Sequence, residues 1–277
     1  MTTKRILTIQ DISCVGQCSL TVALPVISVC GVEACVLPSA VLSTHTGGFK
    51  GFTFRDLTDD MPDIASHWKA EGITFDAIYT GYLGSTYQIS LVKQIFDTFS
   101  GNGCLKIVDP AMADNGKLYV GFDSEFVCAM KSLVGSADYV LPNITEACLL
   151  TDTEYKTEYG REYIDLLLQR LIDLGCKKVI LTGVSYRKGY TGVVVYSDEG
   201  YEYYEHDQLG NGCHGTGDIY ASAFTGALMR GLGAFEAASL AADFTVECIK
   251  ATPKEHWYGA QFESVLYKLP EMISKKL

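Results

Sequence analysis

Gly210-Asn211-Gly212-Cys213-His214-Gly215-Thr216-Gly217-Asp218 runs directly into the apolar segment Ile219-Tyr220-Ala221-Ser222-Ala223-Phe224. The glycines permit positive φ and let a ligand come close to the backbone. The apolar segment predicts a helix over residues 218–230. A glycine turn that feeds a helix gathers unpaired N–H groups and the positive end of the helix dipole at one point. That point suits a phosphate, or a phosphoryl group in transfer. Asp218 then has two readings. It is a helix N-cap, a position Asp favours, or it is a base that takes a proton from an attacking hydroxyl. The stretch by itself leaves both open, because glycine-rich turns are weakly specific.

Upstream of this turn, apolar strand patterns alternate with helical ones as far as about residue 182, which predicts a parallel sheet. Residues 5–10 read as a buried first strand with the loop 11–16 at its C-terminal end, the edge where open α/β sheets bind ligands. Residues 18–30 predict a helix, and 34–37 a second strand. The polar, glycine-rich stretch 43–51 reads either as a surface loop or as a flap over a ligand. Further helices are expected at 60–71 and 158–174, and further strands at 77–80, 105–108, 139–141 and 178–181. Ser85 is placed to cap a helix over 88–99. Residues 192–196 and 201–205, around the turn 197–200, read as an antiparallel hairpin. Helices over 234–250 and 261–275 complete the chain.

Several residues at predicted strand ends carry chemistry. Tyr82 sits between two glycines just past a strand, facing a ligand or filling the core. Asp109 and Asp114 close another strand, as a turn or as contacts to a metal and its water. Asn143 and Glu146 stand three apart at a helix start and so share a face. There they complement the helix dipole or hold the water shell of Mg²⁺, which takes few protein ligands.

Composition limits the function classes. The chain has 277 residues, 48% hydrophobic and 20% charged, which is enough for a large core. A net charge of -11 argues against nucleic acid as a partner. The ten cysteines form no CxxC pair and lie mostly in apolar runs, so reduced core thiols are expected rather than a zinc or disulfide framework. Residues 12–32 carry no charge, but Gln17, Pro25 and several hydroxyls favour a helix buried against the sheet over a membrane span. No signal peptide is expected. No G-x-x-x-x-G-K-[ST] segment is present, which disfavours a P-loop kinase.

Four separated segments, Gly81-Tyr82-Leu83-Gly84-Ser85, Asp109-Pro110-Ala111-Met112, Pro142-Asn143-Ile144-Thr145-Glu146 and Gly215-Thr216-Gly217-Asp218, occur in order along the chain. In order and spacing they resemble the pyridoxal kinases of the ribokinase-like superfamily. Ile9-Gln10 with its polar loop and Ser43-Thr44-His45-Thr46 extend the resemblance over nearly the whole chain. It implies an α/β ribokinase-like three-layer sandwich, with a central mostly parallel sheet flanked by helices and a small antiparallel hairpin. No repeat or linker divides the sequence, so one kinase domain over 1–277 is expected, the reduced thiols point to a cytoplasmic protein, and the resemblance implies a homodimer.

The activity the resemblance implies is ATP-dependent phosphorylation of the 5′-hydroxymethyl group of pyridoxal, pyridoxamine or pyridoxine. By the same resemblance Asp218 is the base, and the amides of Gly215, Thr216 and Gly217 form the anion hole. Asp109, Asp114, Asn143 and Glu146 lie around phosphates and metal, with Mg²⁺ held by Asp109 and Glu146 through water. Thr182 and Gly183 lie near the nucleotide, and His45, Thr46 and Tyr82 near the pyridine ring. Assistance by a monovalent cation is left open.

In one respect the chain departs from better-known pyridoxal kinases, which have Ser where it has Asp11. We read Asp11 as a partner for the ring nitrogen, against the alternative that it caps the following turn. Cys213 is placed either to add its thiol to the aldehyde of pyridoxal or only to shape the loop. The alternatives carried alongside are a hydroxymethylpyrimidine kinase and a non-catalytic B6-binding protein of the same fold.

Overall fold

The computed structural model describes residues 3–210 and 213–277. Asn211 and Gly212 of the glycine stretch lie outside the described residues. The first half of the chain forms β1 (Arg5–Ser13), α1 (Leu20–Val29), β2 (Glu33–Leu42), β3 (Phe54–Asp56), α2 (Met61–Ala70), β4 (Ala77–Thr80), α3 (Thr86–Phe99) and β5 (Leu105–Val108). There follow β6 (Ala113–Asp114), β7 (Lys117–Leu118), α4 (Ser124–Val134), β8 (Tyr139–Val140), α5 (Ile144–Leu150), α6 (Arg161–Asp173) and β9 (Lys178–Val184). The chain ends with β10 (Tyr190–Ser197), β11 (Gly200–Asp207), α7 (Thr216–Met229), α8 (Ala234–Ala251) and α9 (Lys268–Lys276).

One nine-stranded sheet runs β11-β10-β9-β8-β5-β4-β1-β2-β3. Its six central strands are parallel. The hairpin β10–β11 extends one edge and β3 the other, both antiparallel. Alternation along the strands builds two cores. Leu7 and Ile9 point into a cluster with α2 to α6, while Ile6 and Tyr79 point into one with α1, α7, α8 and α9. The result is helix, sheet, helix. β1 pairs with β2 on one side and β4 on the other, so the chain reverses direction across the sheet at β1, and the carboxyl ends of β1 and β4 frame a topological switch point.

The predicted sheet and hairpin are present, with several shifts. β1 runs three residues further than expected, past a register break between Gln10 and Ile12, so Asp11 sits on a strand bulge and not in a loop. β2 runs to Leu42, and just beyond the stretch 43–51 β3 pairs back onto it. Ser85 does cap α3, accepting from the Gln88 N–H at 3.1 Å. The helix expected over 261–275 is confined to α9. Residues 261–267 instead form turns that bury Phe262 and Val265. α4 and the small β6–β7 hairpin were not anticipated. α4 starts at an Asp123 cap that accepts from the Glu125 and Phe126 N–H groups, a signal present in the sequence. α1 is ten residues long, and no helix among the described residues is long and apolar enough to cross a membrane.

Candidate active site

α7 begins at Thr216, two residues before the expected start, with Gly215 at φ 77° as its N-cap. Asp218 is therefore the third helical residue and not the cap. The first-turn N–H groups of α7 have no intrahelical acceptors, and Asp218 projects beside them. Burial pushes its carboxyl up to about 7, and the nearby Asp11 adds to this, against a lowering contribution from the Ser19 backbone N–H. The two glycines of the turn differ. A Cβ on Gly215 would overlap the Gln17 carbonyl oxygen, so packing requires glycine there. A Cβ on Gly217 would meet nothing within 4 Å. The space over Gly217 opens onto the helix N-terminus, where an anion would approach.

Asp11 lies near Asp218 and is 4% exposed. Its Oδ2 accepts from the Ser13 hydroxyl at 2.8 Å. Burial raises its pKa, while the Ser19 and Ser13 hydroxyls and the neighbouring His45 hold it down. Tyr82 is half-buried, stacks on Phe122 at 5.4 Å, and has its phenol raised first by burial and then by the charge of Asp11. Asp11 and Tyr82 thus straddle the switch point.

His45 is buried, with both ring nitrogens engaged by backbone. Nδ1 accepts from the Gly47 N–H at 3.0 Å, which leaves Nε2 to donate to the Tyr258 carbonyl at 2.7 Å. Burial and His214 lower its pKa, keeping the ring neutral. Only its ring edge and faces are left for a ligand. Thr46 is exposed at the tip of the same loop. Cys213 is half-buried, and its carbonyl accepts from the Thr216 hydroxyl at 3.2 Å, at the entry to α7.

The nucleotide-side residues follow β5, β8 and β9. Asn143 and Glu146 form a reciprocal capping box on α5. Glu146 Oε2 accepts from the Asn143 N–H at 2.9 Å and Oε1 from the Met112 N–H at 3.0 Å. The Asn143 amide accepts from the Glu146 N–H and donates to the Ala113 carbonyl. Despite these donors, burial raises Glu146 to about 7. Asp109 is raised well above the usual carboxylate range, by burial first and then by Glu146 and Asp218.

Asp114 is exposed and bonded to the backbone and side chain of Asn115 in the β6–β7 turn, so the strand-end pair expected with Asp109 is divided between a buried acid and a turn. Thr182 donates its N–H to the Pro142 carbonyl at 2.9 Å, and Gly183, at φ 75°, is exposed with open space above it.

The chemistry of this donor set fits a hard divalent cation. Two buried carboxylates, Asp109 and Glu146, repel one another, and among the described residues no side-chain cation is bonded to either. Among the described residues no group of three or more His, Cys, Asp or Glu is disposed as a metal cage. The lone pairs of Glu146 are largely taken by backbone N–H groups. Contact through water, as Mg²⁺ tolerates, is the mode this leaves.

The sequence reading missed the wall built by residues 253–263. Trp257 packs on Phe49 at 4.7 Å and sits over Gly48. His256 bonds Gln17 at 3.1 Å, and Ala260 donates its N–H to the His214 carbonyl at 3.0 Å. Nothing in the local pattern of 253–263 marks it, because its partners are distant in sequence: Gln17, Gly48 and Phe49 lie more than 200 positions away, and His214 stands at the entry to α7. Ser19, buried at positive φ just before α1, was missed as well.

A mostly parallel sheet between helix layers, with an acid three residues into a glycine-led helix at the switch-point edge, defines a ribokinase-like α/β fold. Residues 23–261 match the family model described as phosphomethylpyrimidine kinase, well over half of the chain, and the chain belongs to that family.

A Bacteroides thetaiotaomicron protein, provisionally described as a phosphomethylpyrimidine kinase and solved in a form with pyridoxal, is 38% identical with a TM-score of 0.92, over 97% of this chain and 96% of that one. The pyridoxal kinase of Lactobacillus plantarum is 28% identical with a TM-score of 0.89, over 99% of both chains. The Arabidopsis thaliana pyridoxal kinase is 30% identical over 66% of this chain and 59% of its own length. The chain spans less than two thirds of the length of the first curated relatives it matches.

Proposed function

We propose that the protein is an ATP-dependent kinase for the 5′-hydroxymethyl group of a vitamin B6 vitamer. The observation that carries this reading is Asp218. It is a half-buried carboxyl held near neutrality beside the unpaired amides of α7. Phosphoryl transfer asks mainly for positioning and charge neutralisation. Asp218 orients the substrate hydroxyl and takes its proton as the new O–P bond forms and the bond to the departing ADP breaks. The amides of Gly215, Thr216 and Gly217 neutralise charge on the moving phosphoryl group. Asp11 and Tyr82 hold the ring, with His45 and Thr46 closing over it.

Thr182 and Gly183 lie along the nucleotide, while Asn143 and Glu146 fix the β5 and β8 loops that support its phosphates. Mg²⁺ would be held through water by Asp109 and Glu146 and would supply positive charge to offset that of the phosphates. Asp114, tied into its turn, acts at most through the field it adds at Glu146. The pyridoxal-bound form of the Bacteroides relative supports a B6 substrate.

Hydroxymethylpyrimidine is the second candidate, favoured by the hydroxymethylpyrimidine/phosphomethylpyrimidine kinase of Bacillus subtilis, which is 26% identical over 77% of this chain. Release of ADP measured with each vitamer and with hydroxymethylpyrimidine tests both. Turnover of a vitamer at least tenfold more efficient than of the pyrimidine is the expected result, and the reverse order overturns the reading. We further propose that residues 1–277 act as one domain in a cytoplasmic homodimer, checked by light scattering and cell fractionation.

A further inference from the structure

Tyr82 follows β4 at the switch-point edge, and the backbone around it is pinned. The Gly81 N–H donates to the Ile9 carbonyl at 3.3 Å and the Gly84 N–H to Gln88 Oε1 at 2.7 Å, while Leu83 between them is fully buried. The Tyr82 side chain is held differently. Among the described residues its hydroxyl makes no hydrogen bond, and its ring has one aromatic partner, Phe122, stacked at 5.4 Å and 29°. Phe122 stacks in turn on Phe126 at 3.8 Å and 10°. Phe126 is 3% exposed, and its N–H is capped by Asp123 in the first turn of α4. The chain brings Phe122 there by a detour. The β6–β7 hairpin turns at Asn115 and Gly116, both at positive φ, and Gly121, at φ 94°, turns the chain again. The Tyr119 N–H returns to the Met112 carbonyl at 2.8 Å and the Phe122 N–H to the Tyr119 carbonyl at 3.2 Å.

A side chain that must be ordered before it can meet a ligand costs binding energy. Stacked neighbours remove that cost in advance. We propose that Phe122 is a positioning residue for the ring substrate: backed by Phe126, it holds the Tyr82 ring in the plane that receives a flat heteroaromatic alcohol. The inference rests on the kinase reading above and adds to it the residues that set the orientation of Tyr82. The other end of the detour is tied to the nucleotide side by backbone groups, the Met112 N–H on Glu146 and the Ala113 carbonyl on Asn143. A change of side chain at 122 leaves those bonds in place. A residue there that only filled space would be replaced by an aliphatic one of similar bulk, whereas a stacking residue needs its ring.

The test compares wild type with Phe122→Leu, Phe122→Tyr, Tyr82→Leu and the Leu/Leu double variant. It reads melting temperature, kcat, KM for ATP and KM for the ring alcohol, vitamer or hydroxymethylpyrimidine, that wild type phosphorylates. Leucine keeps most of the bulk and loses the ring, while tyrosine keeps the ring. We expect Phe122→Leu to raise the ring-alcohol KM about three- to tenfold, the scale of one aromatic pair, with kcat and ATP KM within about twofold. Phe122→Tyr should stay within about twofold of wild type in all three. In the Tyr82→Leu background, Phe122→Leu should add less than about twofold. An active wild type whose ring-alcohol KM is unmoved by Phe122→Leu overturns this inference alone. So does an equal rise in both KM values, a loss in Phe122→Tyr as large as in Phe122→Leu, a full effect without Tyr82, or a Phe122→Leu chain that no longer folds. A wild type that phosphorylates neither kind of ring alcohol overturns the kinase reading, and this inference with it.

Discussion

Replacing Asp218 by Asn should make the protein at once far slower and more stable. Its carboxyl sits at about 7 against an ordinary 3.8, a gap worth about 4 kcal/mol against the ionised form. The side chain keeps some solvent access, so we take about 2–4 kcal/mol as the range. The sign follows from which state holds the proton. Below the unfolded value both states are protonated and the group contributes nothing. Between it and 7 the unfolded chain has ionised while the folded one has not, so stability falls as pH rises. Above 7 the penalty is constant.

Asn removes it. Urea denaturation at pH 4, 6 and 8 should show Asp218→Asn matching wild type at pH 4 and exceeding it by about 2–4 kcal/mol at pH 8. Turnover should drop by about 10²–10⁴-fold, the scale for a general base. Equal stability at pH 8 would show that the carboxylate is not held against its own charge. Near-native turnover would remove it from the chemistry.

Four further outcomes are expected. Gly217→Ala, which meets no neighbour, should leave stability within about 1 kcal/mol of wild type while cutting turnover. Gly215→Ala, strained and pressed on Gln17, should lower the denaturation midpoint by an amount equivalent to about 1–3 kcal/mol. Asn143→Ala loses the α5 cap and the bond to Ala113 and should cost about 1–2 kcal/mol by urea titration. Acidification should loosen the flap. The pKa of His45 is lowered, so its stabilising contribution is intact above the unfolded value of 6.5 and is lost as pH falls below it. Trp257 fluorescence in a Trp68→Phe background should change with a midpoint below 6.5, and the change should vanish in His45→Gln.

The sequence made the sheet legible because its central strands are short apolar runs closed by Gly, Asp or Pro, as at 77–80 and 105–108. It also exposed every site element whose chemistry is local: the glycine turn, the Asn143–Glu146 spacing, the Asp109 strand end. The helix start at Thr216 was obscured because Asp218 is itself a good cap residue, and only the positive φ of Gly215 decides between them. The strand bulge at Asp11 depends on pairing with β2, which no local pattern encodes. Asp114 looked like a partner to Asp109, yet the positive φ of Asn115 and Gly116 turns it outward. Ser19 gave no signal, because a serine before an apolar run reads as an ordinary cap.

The His45–Tyr258 bond spans 213 positions of sequence, and the tilted ring contact of Phe49 with Trp257 bridges a similar distance. Loop closures of that length form late in folding. A growing polypeptide can therefore complete its sheet while the cleft still lacks a wall. Competence to bind would arrive only once residue 258 has left the ribosome, along with the core side chains Phe262, Val265, Leu269 and Ile273 that follow it.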